Sequence, residues 1–171
     1  IATNINGLQN IISAAISNNV KNLIFTSSDK AVNPTNHMGL SKRFCELFLK
    51  TYSGGINNKT IFSTVRFGNV LGSSGSVVPI FQKQIEDGGP VTVTDPNVTR
   101  YFMTISEAAS LVIQSSVLAK GEGEVFLLDM GKPMQIKKLA EQMILLNGLK
   151  IKNEINPQGD IEIVYRGLGS G

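Results

Sequence analysis

Cysteine and histidine each occur once in the 171 residues, as Cys45 and His37, and tryptophan is absent. A single cysteine excludes an internal disulfide framework and a cysteine-based zinc site. A single histidine removes the usual His-rich metal clusters, and neither residue has a partner at ligand spacing. Charge is sparse as well: 16 Lys and Arg against 13 Asp and Glu, 17% of the chain, leave a net +3. The cations are scattered, with Lys42-Arg43 and Lys137-Lys138 the densest pairs. Nucleic-acid binding calls for a basic stripe interleaved with stacking aromatics, and the sequence shows neither. No apolar run approaches the ~18 residues of a membrane-spanning helix, and no signal peptide opens the chain. The expected location is therefore cytoplasmic.

What is present reads as a packed globular chain, 42% hydrophobic and close to the ~150 residues of one domain. It starts at Ile1 inside an apolar periodic segment and stops at Gly171 soon after an apparent strand. Both ends lead to the expectation of a fragment.

Apolar residues recur at helical spacing from Ile5 to Ile16, and the β-rich run Val20 to Phe25 follows. A second helical pattern spans Met38 to about Tyr52, carried by Leu40, Phe44, Leu47 and Phe48. A strand is expected from Thr60 to Phe67, then a helix from Val77 to about Glu86 closed by Gly88-Gly89-Pro90. Further strands are expected at Val91 to Thr94, Arg100 to Thr104, Glu124 to Leu128 and Ile161 to Tyr165. Helices fall between them, one capped by Ser106-Glu107 and one from Gln135 to Leu146. This alternation predicts an α/β fold with a mainly parallel sheet.

In such sheets the chemistry lies outside the carboxyl ends of the strands, where two polar loops fall, residues 27–36 and 68–76. Asp29-Lys30 sets an acid beside an amine, a pair able to exchange protons with a substrate; an ordinary turn with a solvated Lys fits the local sequence too. Lys42 lies four residues after Met38 on one helix face, the spacing of a nicotinamide enzyme's Tyr and Lys, but Met38 cannot transfer a proton. Loop 68–76 is rich in small residues and precedes a helix, which suits a diphosphate; a flexible turn suits it equally. It matches neither the P-loop nor the dinucleotide fingerprint. Arg66 and Arg100 are the nearest cations and have the geometry to clamp phosphate, a surface role being the alternative for each.

Taken together, several ordered motifs resemble one family. They are Ser28-Asp29-Lys30-Ala31-Val32-Asn33-Pro34-Thr35-Asn36, Met38-Gly39-Leu40-Ser41-Lys42-Arg43, Val65 to Val77, and Thr99-Arg100-Tyr101-Phe102-Met103-Thr104. Leu128-Asp129-Met130-Gly131 and Gly159-Asp160-Ile161 extend the likeness. The chain resembles the catalytic portion of the CapD-like polysaccharide-biosynthesis family, the UDP-N-acetylglucosamine 4,6-dehydratases among the extended short-chain dehydrogenases.

The resemblance implies the C-terminal part of a Rossmann-type parallel sheet, mainly residues 1–70, with a smaller α/β substrate-binding lobe, mainly 71–171. It implies NAD as cofactor, a UDP-sugar substrate, oxidation at C4, loss of water from C6 and hydride return. Lys30 would abstract the C5 proton, Asp29 would protonate the departing hydroxyl, and Ser28 stands where the family usually has Thr. Lys42 would bind the nicotinamide ribose, with Ser27 and Met38 also at the cofactor. Asn69, Arg100 and the loop Ser73, Ser74, Gly75 and Ser76 would hold the substrate diphosphate. Met38 matches the large branch whose members are membrane-anchored, which implies an anchor upstream and a place at the cytoplasmic face of the membrane. The helices near 3–18 and 37–53 are those that pair subunits in the superfamily, so a homo-oligomer is expected.

Two features depart from the family. The half carrying the Gly-rich pyrophosphate loop is absent, so the fragment alone is expected to bind NAD poorly and lack turnover. At the other end Gly169 stands where the family has a phosphate-binding Arg. The alternatives are a 4-epimerase or reductase of the same superfamily, and a non-catalytic nucleotide-sugar-binding module.

Overall fold

In chain order the elements are α1 (Gly7–Ser17), β1 (Asn22–Ser28), α2 (His37–Thr51), β2 (Ile61–Phe67), β3 (Asn69–Val70), α3 (Val77–Glu86), β4 (Val91–Val93), β5 (Thr99–Arg100) and β6 (Phe102–Met103). There follow α4 (Ile105–Leu118), β7 (Val125–Leu127), β8 (Met134–Gln135), α5 (Ile136–Leu146), β9 (Ile151–Lys152) and β10 (Ile161–Tyr165). They come from a computed structural model that describes residues 2–55, 59–73 and 76–167. Among the described residues no helix is long and apolar enough to cross a membrane.

The chain divides into two units. The first takes residues 1–68 and 106–129, so α4 and β7 return to it, whereas the sequence puts residues 71–171 mainly in the second lobe. Its sheet is parallel in the order β1-β2-β7, with Ser27 opposite Arg66 and Ser28 opposite Phe67. α1 buries Leu8, Ile12 and Ala15, one face at helical spacing. These meet Cys45, Leu49 and Phe62 in a core flanked by Leu23, Phe25, Phe48 and Tyr52. Phe48, Tyr52 and Phe62 stack edgewise through it, with centroids 5.3 and 6.3 Å apart.

The helical pattern of α2 is as expected, but its buried face is not the one its apolar residues announce. Gly39, Cys45, Glu46 and Leu49 point inward, while Leu40, Phe44 and Leu47 are about half exposed at 52, 49 and 51%. Periodicity reports a helix; it does not report what covers each face.

The second unit takes residues 69–105 and 130–171. Its sheet has the order β4-β10-β9 and is parallel throughout. Phe81 and Ile85 of α3 and Ile136, Ala140, Met143 and Ile144 of α5 close over Val91, Val93 and Ile161. Gly88 and Gly89, with φ of 86° and 84°, stop α3 in the left-handed region that glycine alone adopts freely.

Four details differ from the sequence reading. Ser27 and Ser28 are the last residues of β1 and not loop, because the ladder to β2 extends past the apolar run to polar side chains. The short strands β3, β8 and β9 carry too few residues for a period-2 signal. Helix α4 begins at Ile105, which puts Ser106 inside it and not at its cap. Gln135 is the N-cap of α5 in place of its first residue.

Replacing wholly buried Phe62 by Ala is expected to destabilise the chain by about 3–5 kcal/mol. Leu146→Ala, at an 86% exposed position, is expected to change stability by under ~0.5 kcal/mol. Urea unfolding of the two variants checks the contrast.

Candidate active site

β1 ends on Ser28 in extended geometry, and its Oγ accepts from the Lys30 amide, capping a single 3-10 turn, Asp29–Ala31. The same hydroxyl donates to Asp29 Oδ1 at 2.9 Å, and Lys30 Nζ donates to that oxygen at 3.0 Å. Ala31, wholly buried, anchors the turn. Lys30 and Asp29 side chains remain 37 and 42% exposed, so the pair is both fixed and reachable. Burial alone would raise the Asp29 carboxyl, but hydrogen bonds from Lys30 and Ser28 outweigh it and hold the pKa below its ordinary value. An acid, an amine and a hydroxyl thus converge at a strand end.

The N-terminus of α2 lies against this turn. Asn36 caps the helix, its Oδ1 accepting from the Gly39 amide at 2.9 Å. A Cβ on Gly39 would sit 2.5 Å from the Lys30 carbonyl oxygen, so only glycine permits the approach. Met38 beside it is 45% exposed. One turn on, Lys42 Nζ donates to the Thr26 carbonyl at 2.9 Å and lies 4.7 Å from the centre of the Phe25 ring. Burial pushes the Lys42 ammonium pKa down, opposed by the nearby Cys45 thiol.

Sequence reasoning passed over Glu46. Its carboxylate is buried and accepts from Ser27 Oγ at 2.6 Å, Arg66 Nε at 2.8 Å and Arg43 Nη1 at 3.1 Å, with a second bond from Arg66 Nη2. Burial favours the neutral acid here, yet Arg66, Ser27 and Arg43 together hold its pKa below the ordinary value. Arg66 therefore clamps a carboxylate inside the fold and not the phosphate envisaged for it. Ser27 likewise turns its hydroxyl inward to Glu46. The signal was there: Arg66 is the one charge in a strand that is otherwise uncharged, and Glu46 falls next to Cys45 and about one turn before Leu49, on the inward face of α2. His37 begins α2 and is exposed, and buried Cys45 donates its thiol to the Asn4 carbonyl at 3.3 Å.

The second unit holds the other expected residues. β3 pairs with β6 in parallel, Asn69 opposite Phe102, and the Asn69 amide donates to the Tyr101 carbonyl at 3.1 Å. Asn69 and Arg100 are thereby brought to neighbouring strand ends. Arg100 is exposed, its Nη1 donating to the Thr99 carbonyl at 2.8 Å. Ser73 Oγ donates to the Val70 carbonyl at 3.0 Å. Ser76 is the N-cap of α3, and its Oγ is buried with no hydrogen-bond partner among the described residues. Ser74, Gly75 and Gly169 lie outside the described residues.

The first unit thus sets an acid, an amine and a helix-borne lysine at the end of a parallel strand. The chain belongs to the family described as polysaccharide biosynthesis protein, which matches residues 1–171. It is 48% identical to the capsular polysaccharide biosynthesis protein CapD of Staphylococcus aureus, over 98% of this chain and 31% of that protein. It is 39% identical to a UDP-glucose 4-epimerase of Rickettsia canadensis, over 74% of this chain and 37% of the relative. The chain thus spans about a third of the length of these relatives. Among solved structures, Pen from Bacillus thuringiensis superposes with a TM-score of 0.81 at 40% identity, over 97% of this chain and 48% of that one. The dTDP-glucose 4,6-dehydratase from Bacillus anthracis in complex with NAD shares the fold at a TM-score of 0.74 and 19% identity, over 97% and 56%.

Two outcomes follow. Ala favours a helix over Gly by ~1 kcal/mol, yet Gly39→Ala is expected to destabilise the chain by about 1–3 kcal/mol because the Lys30 carbonyl must move; urea unfolding decides the sign. Glu46, with its folded pKa depressed, contributes stability that is complete above its ordinary 4.5 and lost as pH falls through the folded value. Unfolding free energy should therefore decline in acid, and Glu46→Gln should flatten that decline; an unchanged slope would refute the assignment.

Proposed function

We propose that the chain carries the acid–base centre of a nucleotide-sugar 4,6-dehydratase acting with NAD on a UDP-N-acetylglucosamine-like substrate, for cell-surface polysaccharide or glycan synthesis. The observation that carries this reading is the Ser28, Asp29 and Lys30 cluster. Eliminating water from a sugar needs a base at C5 and an acid at the C6 hydroxyl, and two adjacent proton carriers meet that need. The kinship with CapD and the NAD-bound dehydratase fold support it.

Of the residues expected at the cofactor, Lys42 fits: one N–H goes to Thr26, which leaves two donors for a ribose. Met38 adds an exposed apolar side chain with no proton to give. When bound, NAD supplies the oxidant that takes the C4 hydrogen and gives it back at C6. Asp29, ionised at neutral pH, accepts the C4 hydroxyl proton, which splits off as the carbonyl forms. The Lys30 amine takes the C5 proton made acidic by that carbonyl. Asp29 then returns its proton to the C6 hydroxyl, the C6–O bond breaks and water leaves. Lys30 finally reprotonates C5. The Lys42 charge favours the first proton loss.

Substrate diphosphate falls to Asn69, Arg100 and the loop with Ser73, Ser74, Gly75 and Ser76. The unsatisfied Ser76 hydroxyl at the start of α3 supports this, since a helix N-terminus favours an anion. The half-exposed face of α2, with a groove of about 510 Å³ lined by Ile5, Leu40, Phe44 and Leu47, supports pairing with a second copy.

The epimerase kinship favours a second reading, C4 inversion without water loss. The full-length protein with UDP-N-acetylglucosamine and NAD, followed by mass spectrometry, separates the two. Dehydration yields a sugar one water lighter, and Lys30→Ala and Asp29→Asn each lower its rate by about 10²–10⁴-fold. An unchanged mass with an altered sugar identifies the epimerase, and binding without reaction identifies a binding module. In light scattering the full-length protein should be dimeric or larger, and Phe44→Glu should shift it toward monomer; a monomeric wild type refutes the pairing.

A further inference from the structure

We infer that Glu46 is a positioning residue for the acid–base centre. Its buried carboxylate locks the end of β1, which carries Ser28, Asp29 and Lys30, to the face of α2 that presents Lys42. This rests on the dehydratase reading and extends it to a residue that touches neither substrate nor cofactor.

The geometry forms a closed ring. Ser27, which donates to Glu46 at 2.6 Å, lies between Thr26 and Ser28. Thr26 lends its carbonyl to Lys42 at 2.9 Å, and Ser28 holds Asp29 at 2.9 Å. Glu46 is four residues after Lys42 in α2, so the two share a helix face. Arg66, opposite Ser27 in the parallel ladder, grips the same carboxylate and ties in β2. Three elements therefore meet at one carboxylate, and on β1 and α2 the contacting residues lie within two residues or one helical turn of a group in the proposed chemistry.

Stability alone does not call for this arrangement. Replacing a buried ion pair by apolar side chains of similar volume is often neutral or stabilising. What apolar contact does not supply is direction. Of the four N–H and O–H donors on Glu46, the Ser27 hydroxyl from β1 and the two Arg66 N–H groups from its ladder partner β2 fix the sheet against α2 in both distance and orientation. A shift of ~1 Å between reacting groups costs on the order of 10²-fold in rate.

The test uses the full-length enzyme with NAD and UDP-N-acetylglucosamine, scored by the rate of water loss. The double variant Glu46→Met/Arg66→Met removes both charges together, and Ser27→Ala removes only the donor from β1. Tm is measured in parallel, so that rates refer to folded protein. Positioning predicts that kcat falls about tenfold in the double variant and about threefold in Ser27→Ala, with KM within about twofold. A purely structural role predicts an altered Tm and wild-type kcat in the folded fraction, and that result in either variant overturns the inference. Should the double variant not fold, Ser27→Ala decides. Amide exchange at Lys30 and Val32 gives a readout independent of turnover: faster exchange in a folded variant supports the inference, and unchanged exchange overturns it. If the wild type converts no UDP-N-acetylglucosamine, the dehydratase reading falls, and exchange still decides whether Glu46 holds the turn.

Discussion

Glu46 brings a charge to a place that water barely reaches, and the first unit is arranged to answer it. Arg66 supplies a two-pronged guanidinium, Ser27 a hydroxyl and Arg43 a third source of N–H groups. Arg43 lies in the same helix as Glu46, but Arg66 and Ser27 come from two strands, so the full set of partners assembles only when both strands and α2 stand in one arrangement. Strand side chains alternate faces, so a one-residue slip of β1 against β2 would turn Ser27 or Arg66 away from α2. The carboxylate thus selects the register, and the register decides where β1 stops.

Where β1 stops, the polar cluster starts. The ladder with β2 ends at Ser28, and its hydroxyl caps the turn that holds Asp29 and Lys30. Gly39 lets α2 close on that turn, which sets Lys42 beside Thr26 and Phe25. The core beneath, from Leu8 and Ile12 to Phe62, is apolar, with Phe25, Phe48 and Tyr52 packed against it. Regular elements below and a short polar turn above hold Asp29 and Lys30 in place while leaving their side chains open to solvent. The second unit has its own core under α3 and α5, and its polar residues likewise collect at strand ends and a helix start.

Much of this was legible in the sequence. Helix and strand alternation, the parallel sheet and the Asp29-Lys30 pair all follow from periodicity and ordered motifs, and membership of the polysaccharide biosynthesis family agrees with the motifs that first suggested it. Short strands such as β3 and β9 were not legible, because two residues carry no period. The stripe of Leu40, Phe44 and Leu47 announced α2 correctly, but hydrophobicity says only that a face favours leaving water, not which surface covers it.

The order of residues by itself determined the α/β class, the family and the presence of an acid and an amine at a strand end. These are local facts, written in spacing and in contiguous motifs. Only the tertiary structure decided that Arg66 serves a carboxylate and not a phosphate, that Ser27 faces inward, and that Glu46 joins them. Those residues lie 19 and 20 positions from Glu46 along the chain. No local pattern encodes which buried charge meets which donor; burial and neutralisation together settle that when the chain folds.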